Sequence, residues 1–562
     1  MSLETAYSAY QQGRYDIAET RLAAELMRNP GSDAALHLGA MVAARRGDLR
    51  TALARIQTAL RSPANAHEKL NVQGNVLRAL GSHPDAEASF ESALEAVPDY
   101  APALRNLAAL QSQTDKTLEA ADSYARLVEV EPDSDAAWLG RVIALVESQQ
   151  LDAADAAISA SPLEDADKAS LRARVAFYRN DYERAFAEAK SGIVSPRNGA
   201  GSFTLALQLL HMIGGWDSAG EFIENILAKH GDRADLWAAA MSARHAAGDT
   251  DAALALYESA PRDLNTKRIR AQMALESGDF ETAETLAMGA LAAQPGYPPL
   301  MHILCLAALG GGKPDLAQQV ADMGLQADPL NQFYYAVKAT AGRAKGQDYG
   351  YYFDYDRFVR VYDLDPPEGW STMELFNHDL KAELDRLHGF REAPLDQTLR
   401  LGTQTAPDLR YVDSPAIKAF FCAVDPAIRD YLSVIGDDRR HAFTRRNIGG
   451  YRIRSAWSVR LGKGGHHIDH IHPQGWISSA YYVDVPEGEG REGWIKFGEP
   501  PAPLNSALGQ GPEHEVQPKA GRLVLFPSYL WHGTYPITGD RTRMTLPIDI
   551  LPHTPLQGVR TR

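Results

Sequence analysis

Four histidines and one aspartate occupy positions 466 to 472, so five metal-binding side chains fall within seven residues. A further histidine, His532, follows 60 residues after the last of them, and Arg543 stands eleven positions beyond it. Imidazole and carboxylate groups bind divalent transition metals, and a guanidinium can hold a carboxylate through two parallel hydrogen bonds. The spacing therefore predicts a metal site with an anion-binding arginine beside it.

Two pairs within this cluster are alternative metal ligands. If the backbone is extended here, neighbouring side chains point to opposite faces, so His470 and His472 share one face while His467 and Asp469 share the other. Either pair can bind one ion, and the third ligand must come from a distant strand. His532, which follows a Phe-Pro-Ser segment at 526–528, is the candidate.

The anion-binding residue also has two candidates. Arg543 is followed two residues later by Thr545, and on a strand both side chains lie on the same face. Arg541 is the rival, but the residue two positions after it is Arg543 rather than a hydroxyl residue. The pattern favours Arg543.

Short alternating or β-rich runs surround these residues from position 453 onward, with turn signals between them. Several short strands with hairpin-like breaks predict a β-sandwich or jelly roll, a cupin-like fold that holds metals at its open end. The predicted strands cover residues 456–461, 476–485, 494–497, 523–526 and 544–551.

A different pattern fills the first 344 residues, where one register recurs every 34 residues. Gly13, Gly47 and Gly81 keep this spacing, and a series of alanines that begins at Ala18 and Ala52 keeps it too, each followed four residues later by a bulky side chain. The pattern predicts a helix, a turn at the glycine and a second helix packed closely at the alanine. Such a unit cannot bury its apolar face alone, so about ten helix pairs should stack into an all-α solenoid.

Residues 345–450 connect the two regions. Seven aromatic residues fall between positions 349 and 362, and we interpret them as the seam between the solenoid and the next domain. Helices are predicted at 371–389 and 414–435. The predicted organisation is a solenoid at 1–344, an aromatic bridge with the helical first part of the C-terminal domain at 345–450, and a jelly-roll core at 451–562.

The composition narrows the function classes. With 562 residues the chain should form more than one domain, and its net charge of −15 argues against a nucleic-acid or anionic-membrane binder, whose surface needs excess lysine and arginine. Its two cysteines, Cys305 and Cys422, form no Cys-x-x-Cys pair and predict neither a disulfide framework nor a thiolate zinc site. The sequence has no apolar membrane-spanning stretch and no signal-peptide pattern, so a cytoplasmic protein is expected.

The helical region resembles the tetratricopeptide repeat (TPR) family. In the best unit, Gly81, Ala86, Phe90, Ala93 and Pro98 match the signature positions of that repeat. The resemblance implies a concave surface that holds an extended peptide or a partner protein. A protein or peptide partner in the TPR groove is therefore expected, and the oligomeric state is left open.

The C-terminal region resembles the 2-oxoglutarate- and Fe(II)-dependent oxygenases, in particular a prolyl-hydroxylase-like branch. Three segments carry the resemblance: His-Ile-His-Pro at 470–473, Ser-Ser-Ala-Tyr-Tyr at 478–482 and Phe-Pro-Ser-Tyr-Leu-Trp-His at 526–532. The resemblance spans about residues 395 to 550. It implies Fe(II) and 2-oxoglutarate as cofactor and cosubstrate, with dioxygen as the oxidant.

Carried onto this sequence, the resemblance assigns His470 and His532 as ligands, with His472 where commoner members have aspartate. Three imidazoles would leave the iron site one negative charge poorer than two histidines and a carboxylate. The pair His467 and Asp469 would restore that charge but shifts the register by three residues. Because Pro473 and the serine-containing strand fix the register, the motif favours His470 and His472.

The same resemblance implies that Arg543 pairs with the distal carboxylate of 2-oxoglutarate, helped by Thr545 and Tyr481. The expected function is a 2-oxoglutarate- and Fe(II)-dependent dioxygenase that hydroxylates a protein or peptide side chain recruited by the solenoid. One alternative is a TPR interaction scaffold with a non-catalytic cupin-like domain. Another is a different metal reaction in the same barrel, such as zinc-assisted hydrolysis or isomerisation.

Overall fold

The computed structural model of the protein describes residues 2–389, 395, 397–485 and 490–553. The chain divides into two compact units, Met1–Leu171 and Arg172–Arg562. This division falls inside the helical region, whereas the predicted boundary at 344/345 marks the change from helices to a strand-rich fold. The second unit therefore contains both solenoid helices and the strands.

Helices fill the described residues of the first unit. They are α1 (Ser2–Gln11), α2 (Tyr15–Arg28), α3 (Asp33–Arg45), α4 (Leu49–Ala59), α5 (Ala66–Ala79), α6 (His83–Ala96), α7 (Ala101–Gln113), α8 (Thr117–Val130), α9 (Asp135–Glu147), α10 (Leu151–Ala160) and the first half of α11 (Asp165–Tyr178). Successive helices pack in pairs, and the alanines predicted at the crossings are fully buried: Ala18, Ala52, Ala86, Ala120 and Ala154.

A left-handed residue closes the turn inside each of these first pairs. Gly13, Gly47 and Gly81 have φ values of +71°, +81° and +77°. Asp115 and Gln149 occupy the next two positions of the same 34-residue phase and adopt the same conformation, with φ values of +54° and +59°. The turn geometry is therefore kept where the glycine is lost, although a side chain in this region costs free energy.

Helices also fill the first part of the second unit. Its solenoid helices after α11 are α12 (Tyr182–Gly192), α13 (Gly199–Met212), α14 (Ala219–Lys229), α15 (Ala234–Ala246), α16 (Thr250–Ser259), α17 (Leu264–Glu276), α18 (Phe280–Ala293), α19 (Pro298–Gly310), α20 (Pro314–Ala327) and α21 (Gln332–Ala344). In the described chain, α1 to α20 thus correspond to ten pairs, as the repeat predicts, and α21 follows them. None of the described helices is long and apolar enough to cross a membrane.

The aromatic bridge joins α21 to the strands. Tyr349 and Tyr355 donate hydrogen bonds from their hydroxyls to the two carboxylate oxygens of Glu513, at 2.5 and 2.8 Å. Phe353 stacks on Tyr529, with ring centroids 6.4 Å apart. These contacts join the aromatic bridge to the strand-rich region.

Four helices belong to the bridge and the strand-rich region: α22 (Tyr355–Phe358), α23 (Met373–Leu387), α24 (Pro415–Ile435) and α25 (Leu504–Leu508). The predicted helices at 371–389 and 414–435 correspond to α23 and α24. One continuous core of buried side chains runs from Ala271 in α17 to Ile550 near the C-terminus. The last solenoid helices and the strand-rich fold are therefore packed as one body.

Eleven strands are found in the described residues, in two antiparallel sheets. They are β1 (Arg360–Asp363), β2 (Leu399–Gln404), β3 (Tyr451–Ala456), β4 (Val459–His467), β5 (Ile477–Asp484), β6 (Ile495–Phe497), β7 (His514–Val516), β8 (Arg522–Pro527), β9 (His532–Thr534), β10 (Arg543–Thr545) and β11 (Ile548–Pro552). The larger sheet has the order β1-β8-β5-β10-β4-β2, with β11 between β3 and β5, and the smaller has the order β7-β6-β9.

Two antiparallel sheets of this kind agree with the predicted jelly roll. The fold class is confirmed. The predicted strand at 544–551 is two strands, because the chain breaks pairing around Pro547, which has no N–H to donate. β9, only three residues long, was not predicted, since no period can be read from so short a run.

Candidate metal centre

Backbone pairing brings the histidine-rich stretch and His532 together. The N–H groups of His470 and His532 each donate to the carbonyl oxygen of the other residue, both at 2.9 Å. The N–H of His472 donates to the carbonyl oxygen of Ser528, also at 2.9 Å. Gly475 allows the two segments to lie this close, because an added Cβ would stand 2.3 Å from Ser528 Oγ.

The three imidazoles converge on one point. His470, His472 and His532 each offer a ring nitrogen, and the three nitrogens lie within 4.8 Å of one another. The ring centroids of His470 and His532 are 4.2 Å apart, and Nε2 of His470 is 3.3 Å from Nε2 of His472. Nitrogens at these separations can all bind a single divalent ion.

Hydrogen bonds fix which nitrogen of each ring faces the others. His470 Nδ1 lies 2.7 Å from the carbonyl oxygen of Ile468, and His532 Nδ1 lies 2.9 Å from that of Leu530. His472 Nδ1 lies 2.7 Å from Oδ1 of Asp549. Each partner oxygen accepts a hydrogen bond. In the neutral ring the proton therefore lies on Nδ1, and Nε2 presents a lone pair. Two lone pairs 3.3 Å apart repel, and either a metal cation between them or a proton on one of the rings relieves the repulsion.

The electrostatics of two of the three rings favour the neutral form. Burial lowers the pKa of His470 to about 3 and that of His532 well below its ordinary value. Burial opposes protonation of His472 as well, but the charge and hydrogen bond of Asp549 outweigh it and raise the pKa of this ring. Neutral imidazoles are the form that binds a metal.

Asp549 on β11 was not identified as a site residue from the sequence. Its carboxylate contacts His472 Nδ1 through both oxygens, at 2.7 and 2.9 Å, and Oδ1 also accepts a hydrogen bond from Ser478 Oγ at 2.9 Å. A carboxylate that holds a ligating histidine in this way orients the ring and makes it more basic. Asp549 therefore provides the negative charge that a set of three imidazoles lacks, through its contact with His472 rather than as a ligand itself.

Neither member of the alternative pair, His467 and Asp469, belongs to the group of three side chains that could hold a metal in the described chain. Asp469 accepts a hydrogen bond from Lys496 Nζ at 2.8 Å, and burial raises the pKa of this carboxyl to about 6. His467 lies beside the triad, with its ring centroid 6.0 Å from that of His470. The arrangement thus brings His470 and His472 to His532, while Asp469 is bound to a lysine.

Arg543 is enclosed next to this cluster. Only 2% of its surface is exposed, its guanidinium lies 5.6 Å from the ring centre of Tyr482, and it donates a hydrogen bond to the carbonyl oxygen of Gly493. Its Nε is buried without a hydrogen-bond partner, and no carboxylate pairs with it among the described residues. Burial lowers the pKa of Arg543. A buried cation of this kind can bind an anion, because an unpaired charge is costly in the interior.

The structure corrects one residue of the predicted anion site. The Tyr481 hydroxyl donates to Asn377 Oδ1 at 2.6 Å, so this side chain packs against α23 and away from Arg543. Its neighbour Tyr482 points to the opposite face of β5 and lies against Arg543, with a buried hydroxyl that has no partner among the described residues. Thr545 is buried on the same strand as Arg543, whereas Arg541 is exposed. The strand predicted for the serine and tyrosine motif is present. Which of the two adjacent tyrosines lies beside Arg543 depends on the face of the sheet to which each points.

Family comparisons agree with both parts of this architecture. Residues 455–549 match the family described as "Putative 2OG-Fe(II) oxygenase". The strand-rich region is therefore similar to this family. Residues 37–101 match the tetratricopeptide repeat family. Both resemblances expected from the sequence are thereby confirmed.

Solved structures add similarities in the helical region. A tetratricopeptide repeat protein from Parabacteroides merdae is 16% identical, with 54% of this chain and 97% of that chain covered and a TM-score of 0.32. The pilF protein of Pseudomonas aeruginosa is 18% identical over 34% and 87% of the two chains, with a TM-score of 0.29. YrrB, described as a TPR protein with an unusual peptide-binding site, is 21% identical over 33% and 95%, with a TM-score of 0.30. Similarities at these TM-scores say nothing about what this chain binds, and no curated protein matches it.

The residues of the oxygenase domain fit the groups that the family name implies. Three Nε2 lone pairs that face one another suit Fe(II), which accepts imidazole ligands. The buried guanidinium of Arg543 and the unpaired hydroxyl of Tyr482 suit a carboxylate such as the distal group of 2-oxoglutarate.

Proposed function

We propose that the protein is a 2-oxoglutarate- and Fe(II)-dependent dioxygenase that hydroxylates a protein or peptide side chain. The observation that carries this proposal is the convergence of three tautomer-fixed imidazoles, His470, His472 and His532, beside the buried and unpaired Arg543. A scaffold without metal chemistry would have no use for either feature.

Each residue has a defined part in the proposed reaction. His470, His472 and His532 hold Fe(II), and Asp549 keeps the His472 ring in the tautomer that presents Nε2. Arg543 orients 2-oxoglutarate through its distal carboxylate. With dioxygen, the bound metal and cosubstrate supply oxidative decarboxylation to succinate and carbon dioxide, coupled to insertion of one oxygen atom into a C–H bond of the substrate. The protein ligates, orients and excludes water.

The decisive experiment measures binding before turnover. Fe(II) and 2-oxoglutarate are added without oxygen, the absorbance band of their complex is recorded, and succinate is measured after air is admitted. We expect the wild-type protein to give both signals and His532→Ala to give neither. His514→Ala is the matched control, because His514 stacks on Tyr355 and takes no part in the triad. No band and no succinate from the wild type, or full succinate from His532→Ala, would contradict the proposal.

The substrate is proposed to reach the oxygenase domain through the solenoid. Between α13, α15 and α17 lies a cavity of about 330 Å³ whose walls carry small and polar side chains, among them Ala200, Ala239, Gln208, Asn265 and Arg268. Small side chains allow a peptide backbone to come close, and side-chain amides can pair with its N–H and C=O groups. Leu395, from the segment that leads into β2, lines the same cavity and packs on the apolar side chains beside it. The cavity thus already accepts an aliphatic side chain.

Filling the cavity tests this route. Ala239→Trp should leave succinate formation without substrate unchanged, because Ala239 lies on α15 in the cavity wall and is not among the residues proposed to bind the metal or 2-oxoglutarate. It should reduce the number of cellular proteins that gain one oxygen atom when incubated with the enzyme, as measured by mass spectrometry. Ala238→Ser, a smaller change in the same wall, is the control. Unchanged protein hydroxylation by Ala239→Trp would place recruitment elsewhere.

A further inference from the structure

The last solenoid helix, α21, contacts both of the segments that supply the proposed metal ligands. Ten of its thirteen residues are buried, which is typical of a helix enclosed on all sides. It lies in the core that α17 to α20 share with the strands. A solenoid helix that served only to recruit a partner would expose one face instead.

The first contact lies next to His532. Trp531 donates a hydrogen bond from its indole Nε1 to Thr340 Oγ1 at 2.9 Å, and the Thr340 hydroxyl in turn donates to the carbonyl oxygen of Ala336 at 2.8 Å. Thr340 and Trp531 are both buried, at 1% and 3% exposed. The hydroxyl is therefore fixed by α21 itself, and it can only act as acceptor toward the indole.

The second contact lies next to His472. The backbone N–H of Gln332, in the first turn of α21, donates to the carbonyl oxygen of Pro473 at 3.0 Å. This N–H has no partner within its own helix, so the ligand loop satisfies it. Gln332 and Thr340 are eight residues apart, about 12 Å along the helix axis. One rigid element thus spans the distance between the two ligand segments.

We propose that Thr340 is a positioning residue for the metal centre: it holds Trp531 and, through it, the backbone that carries His532. The inference rests on the proposed function, since it concerns the same three imidazoles. It goes further by making the solenoid part of the metal centre. Because α21 holds this segment at a fixed distance, His532 Nε2 stays in position relative to the other two rings. The β-strands do not have to shift to bring it there.

Metal affinity, measured without turnover, tests this inference. The full-length protein is titrated with Fe(II) in the absence of oxygen and in the presence of 2-oxoglutarate, and the absorbance of the complex gives the dissociation constant. We expect Thr340→Val, which keeps the shape but removes the acceptor, to weaken binding about tenfold, the lower end for groups that orient metal ligands. Thr340→Ser keeps the hydroxyl and should restore the wild-type value. Lys338→Ala, on the same helix but paired with Asp322 near the surface, should change nothing.

Trp531→Phe provides an independent route to the same interaction. It should weaken metal binding as Thr340→Val does, and the double variant should be no weaker than either single one, because both remove the same hydrogen bond. Hydrogen exchange of the His532 amide can also be measured in the metal-free protein. It should be faster in both variants than in the wild type. If Thr340→Val binds Fe(II) as tightly as the wild type, or if Thr340→Ser binds as weakly as Thr340→Val, the inference is wrong. If the wild type binds no metal, the proposed function itself fails.

Discussion

The contact between Asp549 and His472 gives the sharpest prediction for the metal centre. In Asp549→Asn the Ser478 hydroxyl still donates to Oδ1, so the new amide nitrogen takes the place of Oδ2, which lies 2.9 Å from His472 Nδ1. An uncharged amide oxygen then replaces the carboxylate as the acceptor 2.7 Å from Nδ1, with an N–H donor beside it, so the tautomer of His472 that presents Nε2 is held less strongly. Hydrogen bonds to a charged group contribute about 1.5–3 kcal/mol, which corresponds to about a 10- to 100-fold loss of Fe(II) affinity.

The assay is an anaerobic Fe(II) titration of the full-length protein with saturating 2-oxoglutarate. Asp363→Asn is the matched control, because Asp363 is also a carboxylate paired with cations, Arg522 and Lys519, but at the far end of β1. It should bind Fe(II) like the wild type. Circular dichroism should show both variants folded.

Two results would refute the reasoning. If Asp549→Asn keeps the wild-type affinity, the carboxylate does not set the tautomer of His472. If Asp363→Asn loses as much affinity as Asp549→Asn, the effect comes from a general loss of negative charge. Only a loss confined to Asp549→Asn supports a carboxylate that acts through the ligand.

Three further predictions concern the anion site, the repeat turns and a half-buried histidine. Arg543→Met should raise the dissociation constant of 2-oxoglutarate by about 10- to 100-fold through loss of a charge-assisted pair, whereas the exposed Arg541→Met should not; equal effects would contradict the assignment. Gln149→Gly should raise the free energy of unfolding in urea by about 0.5–1 kcal/mol, because glycine adopts the left-handed backbone conformation without strain. Gly81→Ala should lower it by about 1 kcal/mol. A change of the same sign in both variants would contradict the turn argument. Burial lowers the pKa of His388 from its ordinary 6.5 to about 4, so the unfolded chain takes up its proton first and stability should fall as the pH drops from 6.5 toward 4. His388→Gln should reduce that slope, and an unchanged slope would show that other groups produce it.

The helical half of the fold could be predicted because its information is local. A turn glycine, a small residue at the helix crossing and a bulky residue four positions later recur in one period, and each acts within a single pair. Asp115 and Gln149 show the limit of this reasoning, since the turn persists there without the residue that signals it. The phase of the repeat, rather than the residue type, identifies them.

The site was predictable only in part because its geometry is not local. His470, His472 and Arg543 could be chosen from spacing and motif, but Tyr481 and Tyr482 differ only in the sheet face they occupy, and neither face is evident from the sequence. Asp549 is 77 residues from His472, and β11 brings it there by pairing with β5, where Asp549 lies opposite Ser478. Contacts of that kind depend on strand order, which no sequence period encodes.

The charges around the centre suggest why a three-histidine set can serve this chemistry. With all three imidazoles neutral, as metal binding requires, Asp549 contributes one negative charge and Arg543 one positive charge, so these five side chains carry no net charge. Fe(II) alone would add two positive charges to a buried site, and 2-oxoglutarate alone two negative ones, and each is unfavourable without compensation. Together they cancel. Each should therefore raise the affinity for the other by the same factor, since coupling between two binding sites is reciprocal.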